Sequence, residues 1–286
     1  MKKLRLVSIA LLLVGLAAGG MAQTSASALP GLPIVGGYQP KPANAPSQTA
    51  QPGEPNIGNS AWAGYTYTAP SELSNSWAGW TQPSVSCGTN ETSYSSFWVG
   101  IQTAAGNGVP LIQTGTSADC SGGVPQYYGW LELVICQTGS TQACAPGENI
   151  KYGPEVVGGP VLPGDDISAA IYNEGGGLYT YSLTDNTQRW QYVRPHQCSC
   201  PQYESQLRTA DVIAERPGFA QYPVARFCGS GPNCDVVFNA VSASGAAFQA
   251  PQPWHVVNGS GQELIAVGNM YGQWSNTFNV GWRGYS

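Results

Sequence analysis

Short runs of alternating apolar and polar residues follow one another along the chain from about residue 56 onward. Glycine, proline, asparagine and serine separate these runs, and the residue spacing of an amphipathic helix is nearly absent. Such runs are typical of β-strands joined by tight turns. This many short strands predicts one all-β domain, built either as two packed sheets or as a barrel. The ten clearest runs are SSFWVGIQ, VPLIQTGT, YYGWLELV, DISAAIYN, LYTYSLTD, RWQYVR, TADVIAE, DVVFNAVSA, ELIAVG and SNTFNVGW.

In two of these runs, the carboxylate side chains all lie on one face of the predicted strand. In YYGWLELV, Tyr128, Trp130 and Glu132 share one face because alternate side chains of a strand point the same way, and the leucines occupy the other face. In TADVIAE, Asp211 and Glu215 likewise share a face. The leucine face is expected in the core, so the sequence predicts a second face, aromatic and acidic, that is open or lines a cleft.

The first 22 residues predict an export signal. Lys2, Lys3 and Arg5 precede an apolar run that ends in small residues and is shorter than the roughly 20 residues needed to span a membrane. Residues 23–55 are rich in proline, alanine, glutamine and serine, and they predict an unfolded linker or pro-segment. We therefore expect a folded domain over 56–286, secreted or periplasmic, with no membrane partner.

The eight cysteines favour disulfide bonds, because an exported chain folds in an oxidising environment. Metal-type CxxC pairs are absent and the chain has two histidines, so no metal site is expected. We predict three disulfide pairs. The first two would each close a loop of hairpin size, the third is assigned after them, and Cys198 and Cys200 have no assigned partner. The three pairs are Cys136 with Cys144, Cys228 with Cys234, and Cys87 with Cys120.

The charge of the chain limits its partners. The net charge is −5 with 9% charged residues, and loss of the three basic residues of the leader brings it to about −8. No basic stripe is present to displace the counterions of a phosphate backbone, so no nucleic-acid partner is expected. A chain with few ion pairs also has few to lose when acid protonates its carboxylates, which predicts tolerance of low pH.

The composition makes a carbohydrate-active protein one candidate. Glu132 and Glu215 could act as the acid and base of a glycosidase, and a lectin-like module without catalysis is the simpler version. A serine or cysteine hydrolase fits less well, because no GxSxG motif accompanies His196 or His255. An aspartic protease needs two Asp-Thr-Gly loops, and this chain has Gln-Thr-Gly instead. Six tryptophans could stack on sugars: Trp62, Trp77, Trp80, Trp98, Trp130 and Trp190.

Gln113 is an unusual residue for its place in the chain. In the run LIQTG it stands between apolar residues and a glycine, where a valine or threonine would pack better. A buried amide must be hydrogen-bonded or must have a function. Without further information, an amide that hydrogen-bonds a turn at the strand end is the favoured interpretation.

Six segments, in their order along the chain, resemble the glutamic peptidases, also called eqolisins. That family shows WVGID, then Q-T-G, a W-Y-E strand, a GD strand and A-E-x-I-x-E, and the resemblance extends from about residue 59 to the end. It implies an all-β fold of two antiparallel sheets, a β-sandwich of the concanavalin-like jelly-roll type with a concave substrate cleft. The segments are SAWAGYT, SSFWVGIQ, LIQTGTSADCSGG, YYGWLEL, GDDISAAI and TADVIAE.

The resemblance also implies a monomeric acid endopeptidase without cofactor, acting on protein or peptide substrates. The family's catalytic glutamine corresponds to Gln113 and its catalytic glutamate, the second of A-E-x-I-x-E, to Glu215. The amide would stabilise the oxyanion and help hold the attacking water, while the ionised glutamate would take a proton from that water and return it to the departing amine. Trp98, Trp130 and Glu132 would line the cleft and position the substrate.

The chain departs from the family pattern at several positions. Gln102 stands where WVGID has its aspartate, and Asp211 replaces the first glutamate of A-E-x-I-x-E. Leucine, valine and isoleucine follow Glu132 where the family has aromatic residues and proline. Both dyad positions are kept, so we expect these changes to alter subsite preference and the pH optimum more than the reaction.

Overall fold

The computed structural model describes residues 57–59, 61–103, 110–134, 151–198, 207–217 and 222–284. Within these ranges the chain forms seventeen β-strands and a short 3-10 turn at Pro232–Cys234, and no α-helix is present there. The first nine strands are β1 (Ile57–Asn59), β2 (Trp62–Thr68), β3 (Asn75–Thr81), β4 (Ser84–Ser86), β5 (Ser96–Thr103), β6 (Leu111–Ser121), β7 (Val124–Val134), β8 (Lys151–Val157) and β9 (Asp166–Gly175). The other eight are β10 (Leu178–Asp185), β11 (Trp190–Gln197), β12 (Leu207–Glu215), β13 (Arg226–Cys228), β14 (Val236–Ala243), β15 (Gln252–Val257), β16 (Glu263–Val267) and β17 (Phe278–Trp282).

The strands form one long antiparallel ladder in the order β11-β10-β9-β3-β14-β17-β16-β15-β2-β12-β5-β6-β7-β8. β1 joins β15 as a parallel neighbour, and β4 pairs with β13 apart from this ladder. The ladder curls over, so that β3, β9 and β10 pack against β5, β6 and β12. The β-sandwich is confirmed, but its two halves are hydrogen-bonded into a single curled sheet through β14, β17, β16 and β15.

Large apolar side chains fill the space between the two halves of the sandwich. Trp80 of β3 packs on Phe238, and Phe238 stacks on Phe278, with ring centroids 5.6 Å and 5.0 Å apart. The indole N–H of Trp80 donates to Thr116 Oγ1 on β6 at 3.1 Å, so this buried polar group is satisfied across the core. Each fully buried aromatic side chain contributes about 2–3 kcal/mol through the hydrophobic effect.

All ten strands predicted from the sequence pattern are confirmed, and they correspond to β5, β6, β7, β9, β10, β11, β12, β14, β16 and β17. The pattern missed the other seven strands. Three of these, β1, β4 and β13, have only three residues each. β3, β8 and β15 contain glycine or proline, which lower strand propensity, and only their pairing with neighbouring strands makes them extended.

Two of the three predicted disulfides are confirmed, Cys87–Cys120 and Cys228–Cys234. Cys198 is also disulfide-bonded. The proposed Cys136–Cys144 pair and Cys200 lie outside the described residues, as do the export signal and the segment 23–55, so the domain boundaries stay predictions. In the described part of the chain, no helix has the length and apolar character needed to cross a membrane.

Two buried carboxyl groups lie where β9 begins and β10 ends. Asp185, at the end of β10, and Asp165, in the turn before β9, are 0% and 3% exposed. Asp185 Oδ1 accepts the backbone N–H groups of Thr187 and Gln188, and the Gln188 amide donates to Asp165. Burial, together with the hydrogen bond and the negative charge of Asp165, raises the pKa of Asp185 to about 6. Asp185 is therefore protonated in acid.

We expect the folded protein to lose stability as the pH rises from 4 to 7. The folded-state pKa of Asp185, about 6, lies above its ordinary value of 3.8, so the stability from this group is full below pH 3.8 and is lost as the pH passes 6. Thermal unfolding measured across this range should show a falling midpoint. Asp185→Asn, which has no carboxyl group to titrate, should flatten the dependence, whereas the exposed Asp166→Asn should not. An unchanged pH dependence in Asp185→Asn would contradict the assignment.

Candidate active site

The register of β5 with its two neighbours, β12 and β6, places the candidate catalytic residues. Gly100 on β5 lies opposite Gln113 on β6 and opposite Asp211 on β12. Ser96, four residues earlier on β5, lies opposite Glu215. Because this offset is an even number of residues, Gln113 and Glu215 share one face of the sheet. In a flat sheet their Cα atoms would be roughly 16 Å apart, given about 3.3 Å per residue and about 4.8 Å between strands.

Gln113 is held by Glu132, the residue directly opposite on β7. Gln113 Nε2 donates to Glu132 Oε2 at 2.8 Å, and the two side chains are 1% and 0% exposed. Among the described contacts this is the only hydrogen bond of the Gln113 side chain, and its Oε1 has no partner. Since a primary amide has two N–H donors, the second N–H and the carbonyl oxygen of Gln113 are available to a ligand.

Trp98 lies between the two candidate catalytic residues on the same face. Its indole Nε1 donates to Glu215 Oε2 at 2.7 Å, and its ring meets Trp62 edge to face with centroids 5.2 Å apart. On its other side the ring leans over Gly100, where an added Cβ would come within 3.0 Å of it. Trp98 and Glu215 are 0% and 2% exposed, so the indole orients a carboxylate that is nearly removed from solvent.

Gly115, the glycine of Gln-Thr-Gly, is explained by the close approach of β5 at Phe97 and Trp98. It lies directly opposite Trp98 on β5 and opposite Trp130 on β7. A Cβ at this position would lie 2.6 Å from Trp98 Cβ and 2.1 Å from the carbonyl oxygen of Phe97. Only glycine therefore lets β5 and β6 approach closely enough for Trp98 to lie between Gln113 and Glu215.

The predicted alternation of faces along β7 and β12 is confirmed. Leu131 and Leu133 of β7 and Val212 of β12 belong to the main core between the two halves of the sandwich. The opposite face forms a second apolar cluster that surrounds the polar side chains, and we call this the site face. Gln113, Glu132, Glu215, Trp98 and Trp130 all lie on it. Its apolar members are Ala61, Trp62, Trp98, Leu111, Tyr128, Trp130, Val134 and Ile213.

Asp119 is a further carboxyl group on the site face, and the sequence alone left open whether it caps a turn or faces the cleft. It is 2% exposed, and it accepts the hydroxyl of Tyr128 at 2.7 Å and the backbone N–H of Ser95 at 3.0 Å. Burial raises its pKa to about 7, against the smaller opposing effect of these hydrogen bonds. Its position six residues after Gln113 on the same strand, an even spacing, was the signal that could have revealed it.

Two of the departures from the family pattern contact each other. Gln102 Nε2 donates to Asp211 Oδ1 at 2.8 Å, and the side chains are 2% and 0% exposed. Gln102 lies two residues from Gly100 on β5, so it belongs to the site face. The site face thus carries a second carboxamide–carboxyl pair, beside the pair formed by Gln113 and Glu132.

Arg216 and His255 bind partners outside the site face. Arg216 follows Glu215 directly and is 2% exposed, but its Nε donates to the backbone carbonyl of Tyr222 at 2.8 Å. Burial lowers the pKa of Arg216. His255 binds Glu263 at 2.9 Å, on β15 and β16. In the described ranges no group of three or more histidine, cysteine, aspartate or glutamate side chains could hold a metal ion.

Four of the six tryptophans named for the carbohydrate alternative offer no sugar-stacking surface. Trp62, Trp80, Trp98 and Trp130 are each at most 1% exposed, so their ring faces pack against protein. Glu132, the acid or base of that alternative, is hydrogen-bonded to Gln113. The structure therefore does not favour a carbohydrate-active site.

Comparison with known proteins decides the family. The sequence model of the Peptidase A4 family matches residues 60–262, which is most of the chain. The chain belongs to the peptidase A4 family. The resemblance to glutamic peptidases that the ordered segments carried is thereby confirmed, and the enzyme class is that of the glutamic-type endopeptidases.

Solved structures of glutamic peptidases share the fold of this A4-family chain. Scytalido-glutamic peptidase, solved with a transition state analog inhibitor, is 19% identical with a TM-score of 0.53. SCP-B, a member of the eqolisin family solved with the tripeptide Ala-Ile-His, is 18% identical with a TM-score of 0.54. Both alignments cover 79% of this chain and 99% of the other. No match was found among the curated proteins.

Gly115→Ala should destabilise this A4-family peptidase strongly, because the added methyl group would overlap backbone and Cβ atoms that cannot move independently. Overpacking of this kind costs about 1–3 kcal/mol or more in the free energy of unfolding. Gly259→Ala is the matched control, since an added Cβ there meets nothing within 4 Å. Urea unfolding of the two variants measures the difference, and equal stabilities would show that Gly115 is not required by packing.

Proposed function

We propose that the chain is an exported acid endopeptidase in which Gln113 and Glu215 act together on one water molecule and one peptide bond. The observation that carries this proposal is their arrangement around Trp98: both lie on the site face, on either side of this ring, and both are buried. The export signal over residues 1–22 supports action outside the cytoplasm.

Glu215 is the general base in this proposal. Its carboxylate is oriented by the indole N–H of Trp98. It takes one proton from the attacking water as the water oxygen bonds to the peptide carbonyl carbon, and it gives this proton to the amine nitrogen as the C–N bond breaks. The protons balance over the two steps, and no covalent intermediate with the protein is needed. Glu215 is thus ionised again at the end of the cycle.

Gln113 stabilises the charge that develops on the carbonyl oxygen. Glu132 engages one N–H of its amide, and the second N–H is directed to the oxyanion. The amide oxygen accepts a hydrogen bond from the attacking water. An amide does not titrate in acid, so this donor is kept at a pH where a histidine would lose its function as a base.

The identity of the base places the activity in the acid range. An ordinary glutamate titrates at about pH 4.3, and a base must be partly ionised to accept a proton. Asp119, on the same face, has its pKa raised to about 7 and is neutral under these conditions. Its neutral state avoids a further negative charge on a face that already holds several carboxyl groups.

Gln113→Ala and Glu215→Ala should each lower the rate of peptide hydrolysis at pH 3–4 by about 10³-fold or more, because each removes a group needed in the transition state. The measurement is cleavage of a denatured protein in the presence of pepstatin and a chelator, with the fold checked by circular dichroism. Glu263→Ala, on β16 away from the site face, is the control and should cleave normally. Cleavage that survives either alanine variant would contradict the dyad.

Glu132 should act through Gln113, which makes its substitutions a graded test. Glu132→Gln still offers an oxygen acceptor to Gln113 Nε2 and should keep kcat within about tenfold, whereas Glu132→Leu offers none and should lower kcat by about 10²-fold. A merely structural role would lower the thermal midpoint of both variants without this difference in kcat. Equal kcat values in the two variants would remove the positioning role.

A further inference from the structure

We propose that Gln102 is a substrate-binding residue whose amide oxygen accepts a backbone N–H of the bound peptide. The inference rests on the proposed peptidase function and assigns one subsite of the same face. It concerns a position at which this chain departs from the family pattern, since the sequence has glutamine where WVGID has aspartate.

A peptide lying on the site face has few backbone acceptors available to it. β5 is paired with β12 on one side and with β6 on the other, so its N–H and C=O groups lie in the plane of the sheet and are engaged there. An extended peptide at a sheet edge would pair with backbone groups, but a peptide on a sheet face depends on side chains. The acceptors for its N–H groups must therefore come from polar residues of this face.

Gln102 offers such an acceptor in a fixed orientation. The amide nitrogen of Gln102 donates to Asp211 Oδ1, so its amide oxygen faces away from that hydrogen bond. This Oε1 is buried and has no hydrogen-bond partner among the described contacts. A buried acceptor without a donor is unfavourable, and a substrate N–H would satisfy it.

Gln102 lies close enough to Gln113 to contact the substrate near the scissile bond. Gly100 is opposite Gln113, and Gln102 is the next residue of β5 on the same face. Diagonal neighbours on adjacent strands are about 7–8 Å apart, which is about two residues of an extended peptide at about 3.3 Å each. Gln102 therefore lies where it would contact the substrate within about two residues of the scissile bond.

Gln82 provides a matched comparison inside the same protein. It is also buried, its Nε2 donates once, to the backbone carbonyl of Ser117, and its Oε1 also lacks a partner. Gln82 follows β3 in the other half of the sandwich, and its amide reaches β6 across the core. A missing partner alone therefore does not mark a binding residue, and the location of Gln102 on the site face is what distinguishes it.

The experiment compares the full chain with Gln102→Met and Gln82→Met on a series of peptides, each N-methylated at one backbone position. In the unsubstituted protein, methylation at one position within about two residues of the cleaved bond should lower kcat/KM about tenfold. Gln102→Met should raise KM about tenfold for the unmethylated peptide, with kcat little changed, and should no longer respond to methylation at that position. Gln82→Met should keep both the normal KM and the response.

Several results would overturn the inference. A normal KM in Gln102→Met would do so, as would a methylation penalty that this variant keeps unchanged. If Gln102→Met fails to fold, the scan on the unsubstituted protein still decides, because the absence of any sensitive position near the cleaved bond removes the subsite. Failure of the unsubstituted protein to cleave any peptide would instead remove the peptidase proposal itself, and the two failures are thus distinct.

Discussion

β5 is hydrogen-bonded along both edges, to β12 and to β6, and the register of these two ladders determines where every polar side chain of the site lies. Side chains of a strand alternate between faces, so a slip of one residue in either ladder would turn Gln113 or Glu215 into the main core. Gly115 and Gly100 help to hold this register, because a side chain at Gly115 would overlap the β5 backbone and one at Gly100 would crowd the Trp98 ring. The packing around Trp98 and the positions of Gln113 and Glu215 therefore depend on the same register.

The site face combines strong burial with polar chemistry. Its carboxyl and carboxamide groups are within a few per cent of full burial, and tryptophan rings surround them. Buried polar groups are tolerated when they are hydrogen-bonded, and two amide–carboxyl pairs, Gln113 with Glu132 and Gln102 with Asp211, meet this condition in the same way. In surroundings with little water such hydrogen bonds also hold their geometry, which favours preorganised stabilisation of charge.

The sequence predicted the fold class and the assignment of residues to faces, because the alternation in YYGWLELV and TADVIAE is strict. It did not predict that the two halves form one sheet, since that depends on pairing between segments far apart in the chain. Gln113 and Glu215 were assigned through the resemblance, whereas the residues alone favoured a structural amide. The bond from Gln113 to Glu132 could not be predicted, because a cross-strand partner follows from register and not from composition.

The order in which the ladders can close has a consequence for the newly made chain. β5, β6 and β7 are neighbours in sequence and can pair early, so Gln113 and Glu132 come together locally. β12 pairs with β2 and β5, both more than a hundred residues earlier, and such long-range pairing is slow to form. Glu215 therefore joins the site only when the sheet is complete. Under the proposed dyad, a chain whose sheet is incomplete holds Gln113 without Glu215 and cannot cleave its neighbours.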